Sequence, residues 1–264
     1  MDMPPRYATG FGQGRENVRR MDVHPVAHAG FASGADAYAR GRPGYPSAAL
    51  HWLVQRLGLR PGAVVLDLAA GTGILSRALA ATGARVIAVE PVGEMRRLIG
   101  PGIEAVEGTA EAIALADRSA DVVTVGQAFH WFDGDAALAE IHRVLRPEGF
   151  LGLLWNVRPM EDPIHAAIED LIASHCESVP RHGTGAWRHA FECTSLFGPL
   201  EQVGFAHEQV LDREALAARV GSTSAIAALP ESERARVLEG VRALAEEGPV
   251  TLRYTCEVQV AQRR

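Results

Sequence analysis

Short apolar runs alternate with helix-forming segments along the first part of the chain. Valine, isoleucine and leucine dominate the runs at 64–68, 85–89, 103–106, 121–125 and 150–155, as they do in parallel strands that are buried on both faces. Apolar residues at helical spacing precede the first run, and helices are predicted between the runs over 73–82, 92–99 and 135–145. This alternation predicts an α/β fold with a doubly wound, mostly parallel sheet.

The C-terminal third follows a different pattern. A helix is predicted to begin at Pro163, because Asp162 is a favourable N-cap and proline is tolerated in the first turn. A loop region containing Trp187 follows, and then two helical patterns over 213–219 and 231–245. From Leu252 to Val260 every second residue is apolar, which predicts a strand with one face in water.

The turn after the first predicted strand carries the strongest signal for a ligand. Asp67 is followed by Ala69, Gly71 and Gly73, and such small residues let the backbone approach a ligand closely. Because Ala69 carries a Cβ atom, we expect an ordinary negative φ there. The second strand ends in Glu90, whose carboxylate can accept both ribose hydroxyls of a nucleotide-like cofactor.

Spacing and charge distinguish between cofactors. A pyrophosphate-binding turn reads G-x-G-x-x-G, whereas the nearest match here is Gly71, Gly73 and Ser76. Asp67 would repel a phosphate, but Asp67 and Glu90 together suit a positively charged sulfonium cofactor. A nicotinamide-dependent oxidoreductase and a non-catalytic adenosyl-binding or regulatory protein of the same fold stay as alternatives.

Several segments, in the same order, resemble those of class I S-adenosylmethionine-dependent methyltransferases, in the small-molecule branch that includes trans-aconitate methyltransferase-like proteins. They are YARGRPGYP at 38–46, VVLDLAAGTG at 64–73, VIAVEP at 86–91, EGTAEAIAL at 107–115, DVVTVGQAFHWFD at 121–133 and LRPEGFLGLLW at 145–155. The chain departs from the family at Ala69, where the family has glycine.

The resemblance implies a seven-stranded sheet with an antiparallel C-terminal strand and a helical cap. Residues 31–264 would form a single methyltransferase domain, with cap elements in 31–60 and about 160–247. Residues 1–30 mix Gly, Pro, Arg and His without periodicity, so we expect a poorly ordered extension there.

The resemblance also implies which residues bind the cofactor S-adenosyl-L-methionine, whose product is S-adenosyl-L-homocysteine. Glu90 would hold the ribose, Pro91 would border the adenine, and Thr109 would meet the adenine's polar edge, where related enzymes often have an aspartate. The full predicted set is Asp67, Ala69, Gly71, Gly73, Glu90, Pro91, Thr109, Ala110 and Gln127.

Candidate residues for the methyl acceptor lie before the sheet and after the fourth and fifth strands. They are Tyr38, Arg42, Trp131 and Trp155. The Arg42 guanidinium can bind a carboxylate, either of the methionine part or of an acidic acceptor. His130 is the candidate catalytic residue, as a general base, although His130 and Trp131 can also serve structure alone. The sequence does not decide whether the atom that accepts the methyl group is oxygen, nitrogen or carbon.

Composition narrows the classes of partner. The net charge is −6, with 26 basic and 32 acidic residues and no long basic run, so we expect a small-molecule substrate and no nucleic acid. No apolar stretch approaches the roughly 18 residues needed to cross a bilayer, so we expect a cytoplasmic protein without a membrane partner. Three cysteines without C-x-x-C spacing predict no metal site.

Overall fold

The computed structural model describes residues 25, 30, 41–177 and 179–264. The predicted extension over 1–30 therefore lies, apart from positions 25 and 30, outside the described residues. Tyr38, one of the predicted acceptor-binding residues, lies outside them as well. Strands and helices are numbered below in chain order within the described part.

Seven strands of the described residues form one sheet. They are β1 (Val64–Leu68), β2 (Arg85–Val89), β3 (Glu104–Val106), β4 (Ala120–Gly126), β5 (Leu145–Val157), β6 (Glu201–Leu211) and β7 (Val250–Gln262). Their order is β3-β2-β1-β4-β5-β7-β6. The first five strands pair in parallel, whereas β7 runs antiparallel to both β5 and β6. The prediction of a seven-stranded, mostly parallel sheet with an antiparallel C-terminal strand is confirmed.

Helices cover both faces of the sheet and form a cap. They are α1 (Ser47–Arg56), α2 (Ile74–Ala80), α3 (Gly93–Arg96), α4 (Gly134–Val144), α5 (Pro163–Ile172), α6 (His189–Cys193), α7 (Arg213–Gly221), α8 (Ser224–Ala227) and α9 (Glu231–Ala243). One apolar layer packs α1 and α2 on the sheet, and another packs α4 on the opposite face. A separate cluster joins α5, α7 and α9 to the start of β7. None of these described helices is long and apolar enough to cross a membrane.

Helix boundaries follow the local signals closely where a cap is present. Asp162 accepts a hydrogen bond from the Ile164 amide at 3.1 Å and caps α5, as its sequence predicts. The helix predicted over 92–99 is shorter, because only Gly93–Arg96 is α-helical. The turn expected at 146–149 lies within β5, where a register shift marks an irregularity in the ladder with β4.

The sequence pattern does not predict β6, which lies at the edge of the sheet. The strand alternates between half-buried and exposed positions along most of its length. His207 and Gln209 occupy two of the half-buried positions, so the apolar alternation that indicates a strand is interrupted. The strand forms because the edge of β7 supplies its pairing partner over eleven registered pairs.

The prediction of a wet face along the whole of β7 is wrong in its second half. Arg253 and Thr255 are exposed, but Gln259 is fully buried. The chain between 186 and 193 covers that part of the sheet, and Arg188 Nη1 donates to Gln259 Oε1 at 3.4 Å. A polar residue on an alternating strand is therefore exposed only where no later segment packs over it.

Candidate functional site

Two adjacent cavities lie at the carboxyl ends of β1, β4 and β5, where open α/β sheets bind their ligands. The inner cavity is lined by the turn after β1, by Pro43 and Tyr45, and by the end of β4. The outer cavity has a volume of about 460 Å³ and extends between β5 and the cap. Both cavities are lined by Arg42, Gln127, Asn156 and Arg219.

The turn after β1 reverses the chain in a left-handed conformation. Ala69, Gly71 and Gly73 have φ values of +50°, +58° and +79°, so the expectation of a negative φ at Ala69 is wrong. The Ala70 amide donates to Val89 O at 3.1 Å and the Gly73 amide to Ala70 O at 2.9 Å. These bonds hold Ala69 in a conformation that costs alanine about 1–2 kcal/mol, and such strain is concentrated at functional sites.

Gln127 carries the same conformation at the end of β4. Its φ is +62°, and its amide donates to Leu154 O at 2.8 Å. Just before it, a Cβ atom added to Gly126 would lie 2.5 Å from the Tyr45 hydroxyl. Glycine at 126 therefore lets Tyr45 close over the inner cavity, which both residues line.

Glu90 lies at the carboxyl end of β2 beside this turn and is only 5% exposed. Its carboxylate accepts hydrogen bonds at 2.8 Å from the amides of Gly71 and Val92, one on each oxygen. Burial raises its pKa, although both hydrogen bonds oppose that effect. A carboxylate has about four lone-pair sites, so each oxygen can still accept a hydroxyl.

Asp67 is buried at the end of β1, where its side chain lines the inner cavity. One carboxylate oxygen accepts from Ser76 Oγ and the other from Thr124 Oγ1. Burial raises the pKa of Asp67 to about 6, against the effect of these hydroxyl donors. The side chain is therefore fixed and presents negative charge to the cavity above pH 6.

Two threonine hydroxyls are buried without a hydrogen-bond partner in the described structure, those of Thr72 and Thr109. Thr72 lines the inner cavity, so its hydroxyl is available to a ligand there. Thr109 follows β3 and, like the predicted residues Glu90, Pro91 and Ala110, lines neither cavity.

An aromatic cluster forms one wall of the outer cavity. Trp155 lines this wall although it is only 1% exposed, and its ring lies 4.6 Å from those of both His182 and Trp187. Trp131 lines the same cavity, with its ring 5.4 Å from that of His130. Trp155 therefore belongs to the core and to the cavity at once.

His130 lines the outer cavity from a 3-10 turn at Phe129–Trp131. Burial, followed by the charges of His182 and Arg42, lowers its pKa to about 4. Its Nδ1 accepts from Trp155 Nε1 at 3.4 Å. Because an indole nitrogen only donates, the neutral ring carries its proton on Nε2, so this geometry favours hydrogen-bond donation by His130 over the role of a general base.

Arg42 ties the segment before α1 to the cap. Its Nη2 donates to Ser222 O at 3.0 Å, and its side chain lines both cavities. The sequence predicts that Arg42 binds a carboxylate, either of the cofactor's methionine part or of the acceptor. Its location at the wall that the two cavities share is compatible with both ligands. A cluster of His, Cys, Asp or Glu arranged to hold a metal ion is absent from the residues that the structure describes.

Several residues lining the cavities were not predicted. Asn156 directly follows the fifth predicted strand and Arg158 comes two residues later, so the rule that ligands bind at carboxyl ends of strands provides a signal for them. Arg181, His182 and Arg219 lie in the cap. No local motif marks these three, because they reach the cavity only through the packing of the cap.

Comparisons with known proteins agree with this architecture. A family model described as a methyltransferase domain matches residues 66–153. An uncharacterized methyltransferase of Mycobacterium tuberculosis is 37% identical over 228 residues, which cover 83% of this chain and 86% of that protein. An uncharacterized methyltransferase-like protein of Schizosaccharomyces pombe is 33% identical over 204 residues, covering 76% of this chain and 79% of that protein.

A solved structure from Anaeromyxobacter dehalogenans, described as a type II methyltransferase, has the same fold. It superposes with a TM-score of 0.61 at 26% sequence identity, covering 84% of this chain and 97% of that one. These similarities exclude the nicotinamide-dependent alternative, while the trans-aconitate-like branch stays a prediction. The chain belongs to the class I S-adenosylmethionine-dependent methyltransferases.

Proposed function

We propose that this methyltransferase transfers a methyl group from S-adenosylmethionine, bound along the turn after β1 beside the inner cavity, to a small molecule in the outer cavity. The observation that carries the proposal is the wall that the two cavities share, formed by Arg42, Gln127, Asn156 and Arg219. Methyl transfer requires donor and acceptor to meet in a fixed orientation with water excluded. Two adjacent cavities with common lining residues provide that arrangement.

The residues around the turn after β1 suit the cofactor, while the inner cavity itself has a volume of only about 30 Å³ and Glu90 lies outside its lining. Glu90, beside that turn, retains lone pairs for the ribose hydroxyls next to the Gly71 amide. The unpartnered Thr109 hydroxyl can accept from the adenine amine, and the Thr72 hydroxyl is available in the cavity itself. Asp67 supplies negative charge near a cationic ligand. When bound, the cofactor supplies an electrophilic methyl group on a sulfonium sulfur.

The outer cavity supports a small acceptor. Its volume of about 460 Å³ lies within the range of about 300–1,000 Å³ that is typical of small-molecule sites. The wall includes helices α5, α7 and α8 of the cap as well as β5 of the sheet. Because cap and sheet enclose the cavity together, we treat residues 31–264 as one methyltransferase domain.

The chain's own side chains would orient the acceptor. Asn156 Nδ2 donates to Gly44 O at 2.9 Å, which fixes the amide, while its Oδ1 is buried without a partner in the described structure. That oxygen can accept from a hydroxyl or amine at the shared wall. His130 Nε2 can donate to an oxygen of the acceptor, and Trp131 and Trp155 exclude water.

Calorimetric titration with S-adenosylhomocysteine tests the cofactor site first. We expect saturable binding to the full-length protein, and absence of binding would overturn the proposal. The acceptor class is tested by incubating the enzyme and a cell extract with methyl-deuterated S-adenosylmethionine. We expect the label in the dialysable fraction. Label confined to protein or nucleic acid would refute a small-molecule acceptor, and tight cofactor binding without any labelled product would favour a non-catalytic protein.

A further inference from the structure

The outer cavity concentrates positive charge in a protein whose net charge is −6. Among the described residues, four arginines line it, Arg42, Arg158, Arg181 and Arg219, against one acidic residue, Glu169. The two histidines in its wall, His130 and His182, both have a pKa lowered to about 4 by burial, so they are neutral at pH 7. The charge of this cavity is therefore opposite to that of the molecule as a whole.

Arg219 is buried on α7 and only 8% exposed. Its Nε donates to the Tyr254 hydroxyl at 3.3 Å, and its guanidinium carbon lies 5.9 Å from the centre of the Tyr254 ring. No carboxylate of the described residues lies within 4 Å of it as an ion pair. A buried cation without an anionic partner is costly, so this position favours an anionic ligand.

Arg158, which follows β5, is a second cation of the outer cavity. Glu169 neutralises its charge only in part. Glu169 is held by Arg181, whose Nη2 lies 2.7 and 2.9 Å from its two oxygens. Arg158 Nη2 lies 3.6 Å from the same carboxylate. One carboxylate is thus shared between two arginines, and its close contacts belong to Arg181.

Arg158 and Arg219 also lie near each other, since both line the outer cavity and a smaller cavity behind it. Burial lowers the pKa of Arg158, and repulsion from Arg219 lowers it further. A carboxylate placed between two guanidinium groups removes this repulsion and accepts charge-assisted hydrogen bonds from both. The pair, called the clamp below, therefore favours an anion between its two charges.

The wall also includes apolar residues. Trp131 lines it together with Val157, Ile172 and Val179. Aromatic rings bind flat apolar groups by offset stacking. The cavity therefore combines a cationic pair with an aromatic surface.

Building on the proposed function, we propose that the methyl acceptor is a small carboxylic acid with a flat apolar body. Its carboxylate binds between Arg158 and Arg219, and its body lies against Trp131. Glu169 then sets the strength of the clamp, because it competes with the ligand for Arg158.

Paired probes test the inference on the S-adenosylhomocysteine-loaded enzyme. Calorimetric affinities are compared for benzoate with benzamide and for cinnamate with cinnamamide, which differ only in the charge of the head group. We expect each acid to bind at least about tenfold more tightly than its amide, as for one charge-assisted contact. Equal affinities within both pairs, or no binding of either acid, would overturn the proposal.

Two variants that change the charge of the outer cavity in opposite directions distinguish ligand recognition from folding. Arg158→Gln should remove the preference for acids, whereas Glu169→Gln should strengthen acid binding about threefold by freeing Arg158. Arg97→Gln, which breaks an exposed ion pair with Glu94 on the surface, should change neither. If Arg158→Gln binds acids like the wild type, or if both cavity variants weaken binding equally, the clamp is refuted.

Two further outcomes keep the proposals distinct. If S-adenosylhomocysteine does not bind at all, the proposed function is refuted. The affinities for the acids then could not be measured on a cofactor-loaded enzyme. Normal cofactor binding with no preference for acids refutes only the carboxylate inference. Tighter binding of phenyl phosphate than of benzoate would also refute it, because the site would then be one for phosphate esters.

Discussion

The two cavities differ in how the chain builds them. The inner cavity takes most of its wall from 67–75 and from Gly126 and Gln127, at the carboxyl ends of neighbouring strands. The outer cavity is built from five separated stretches, around 42, 127–131, 155–160, 169–184 and 219–225. The inner cavity is therefore formed mainly by backbone turns. The outer cavity is formed by side chains that meet only after the cap has packed.

The cavities also differ in charge. Asp67 lines only the inner cavity and Arg158 and Arg181 line only the outer one, whereas Arg42 and Arg219 line both. A cationic methyl donor suits the side near Asp67, and an anionic acceptor suits the side near Arg158 and Arg181. The difference teaches that charge can vary across two cavities that share part of their wall.

The largest expected effect tests whether the aromatic wall of the outer cavity is also core. Trp155→Ala should lower the free energy of unfolding by about 3–5 kcal/mol, as expected for a fully buried tryptophan. Urea denaturation measures this, with the half-buried Trp52 as a matched control whose truncation should cost less. A free energy of unfolding equal to that of the wild type would show that Trp155 lines the cavity without stabilising the core.

Glu90→Ala tests the predicted ribose contact beside the turn after β1. Loss of the carboxylate removes the predicted ribose acceptor and leaves the Gly71 and Val92 amides without their partner. Affinity for S-adenosylhomocysteine should fall about a hundredfold, which corresponds to roughly 3 kcal/mol. Glu104→Ala, which breaks an exposed ion pair with Arg85, is the control. Unchanged affinity in calorimetry would contradict the assignment of Glu90.

The pH dependence of cofactor binding tests the charge of the inner cavity. Asp67 has a pKa raised to about 6, so it is protonated and neutral below that pH. Affinity for S-adenosylmethionine should therefore fall as the pH decreases below about 6, by at most tenfold per pH unit for one proton. Asp67→Asn should remove this dependence, and S-adenosylhomocysteine, which lacks the sulfonium charge, should show less of it. A flat profile in the wild type would argue against the electrostatic role.

His130→Ala tests the catalytic residue at the outer cavity. If His130 donates a hydrogen bond to the acceptor, turnover should fall at least about tenfold without a change in cofactor affinity. Because burial holds the pKa of His130 near 4, its titration should leave no inflection in the wild-type rate near pH 6.5. His51→Ala on the exposed side of α1 is the control. Unchanged turnover would assign His130 to structure.

The smallest effect concerns the strained turn. Ala69→Gly removes the cost of the left-handed conformation at φ +50°, and part of this gain is lost to the greater entropy of the unfolded chain. The net stabilisation should be about 0.5–1 kcal/mol in thermal denaturation. Ala70→Gly should instead destabilise the protein, since Ala70 does not have a positive φ. Destabilisation by both variants would show that strain at Ala69 is negligible.

The strands that position the cofactor site could be predicted because each carries its own signal. Apolar runs located β1, β2 and β4, and the acid or small residues after them marked the edge where ligands bind. The edge strand β6 could not be predicted, since His207 and Gln209 interrupt its alternation. The same limit explains Gln259, which is polar in sequence but covered by a segment seventy residues earlier in the chain.

Sequence alone determined the strands β1, β2, β4 and β5, the position of the turn after β1 and the location of Glu90 at the end of β2, because these depend on the local pattern of apolar, small and acidic residues. Tertiary structure alone decided the positive φ of Ala69, the hydrogen bond that fixes His130, and the meeting of Arg158 with Arg219. Those features arise from side chains and backbone segments far apart in the chain. Their energies depend on burial and on the distance between charges, which exist only once the cap has packed on the sheet.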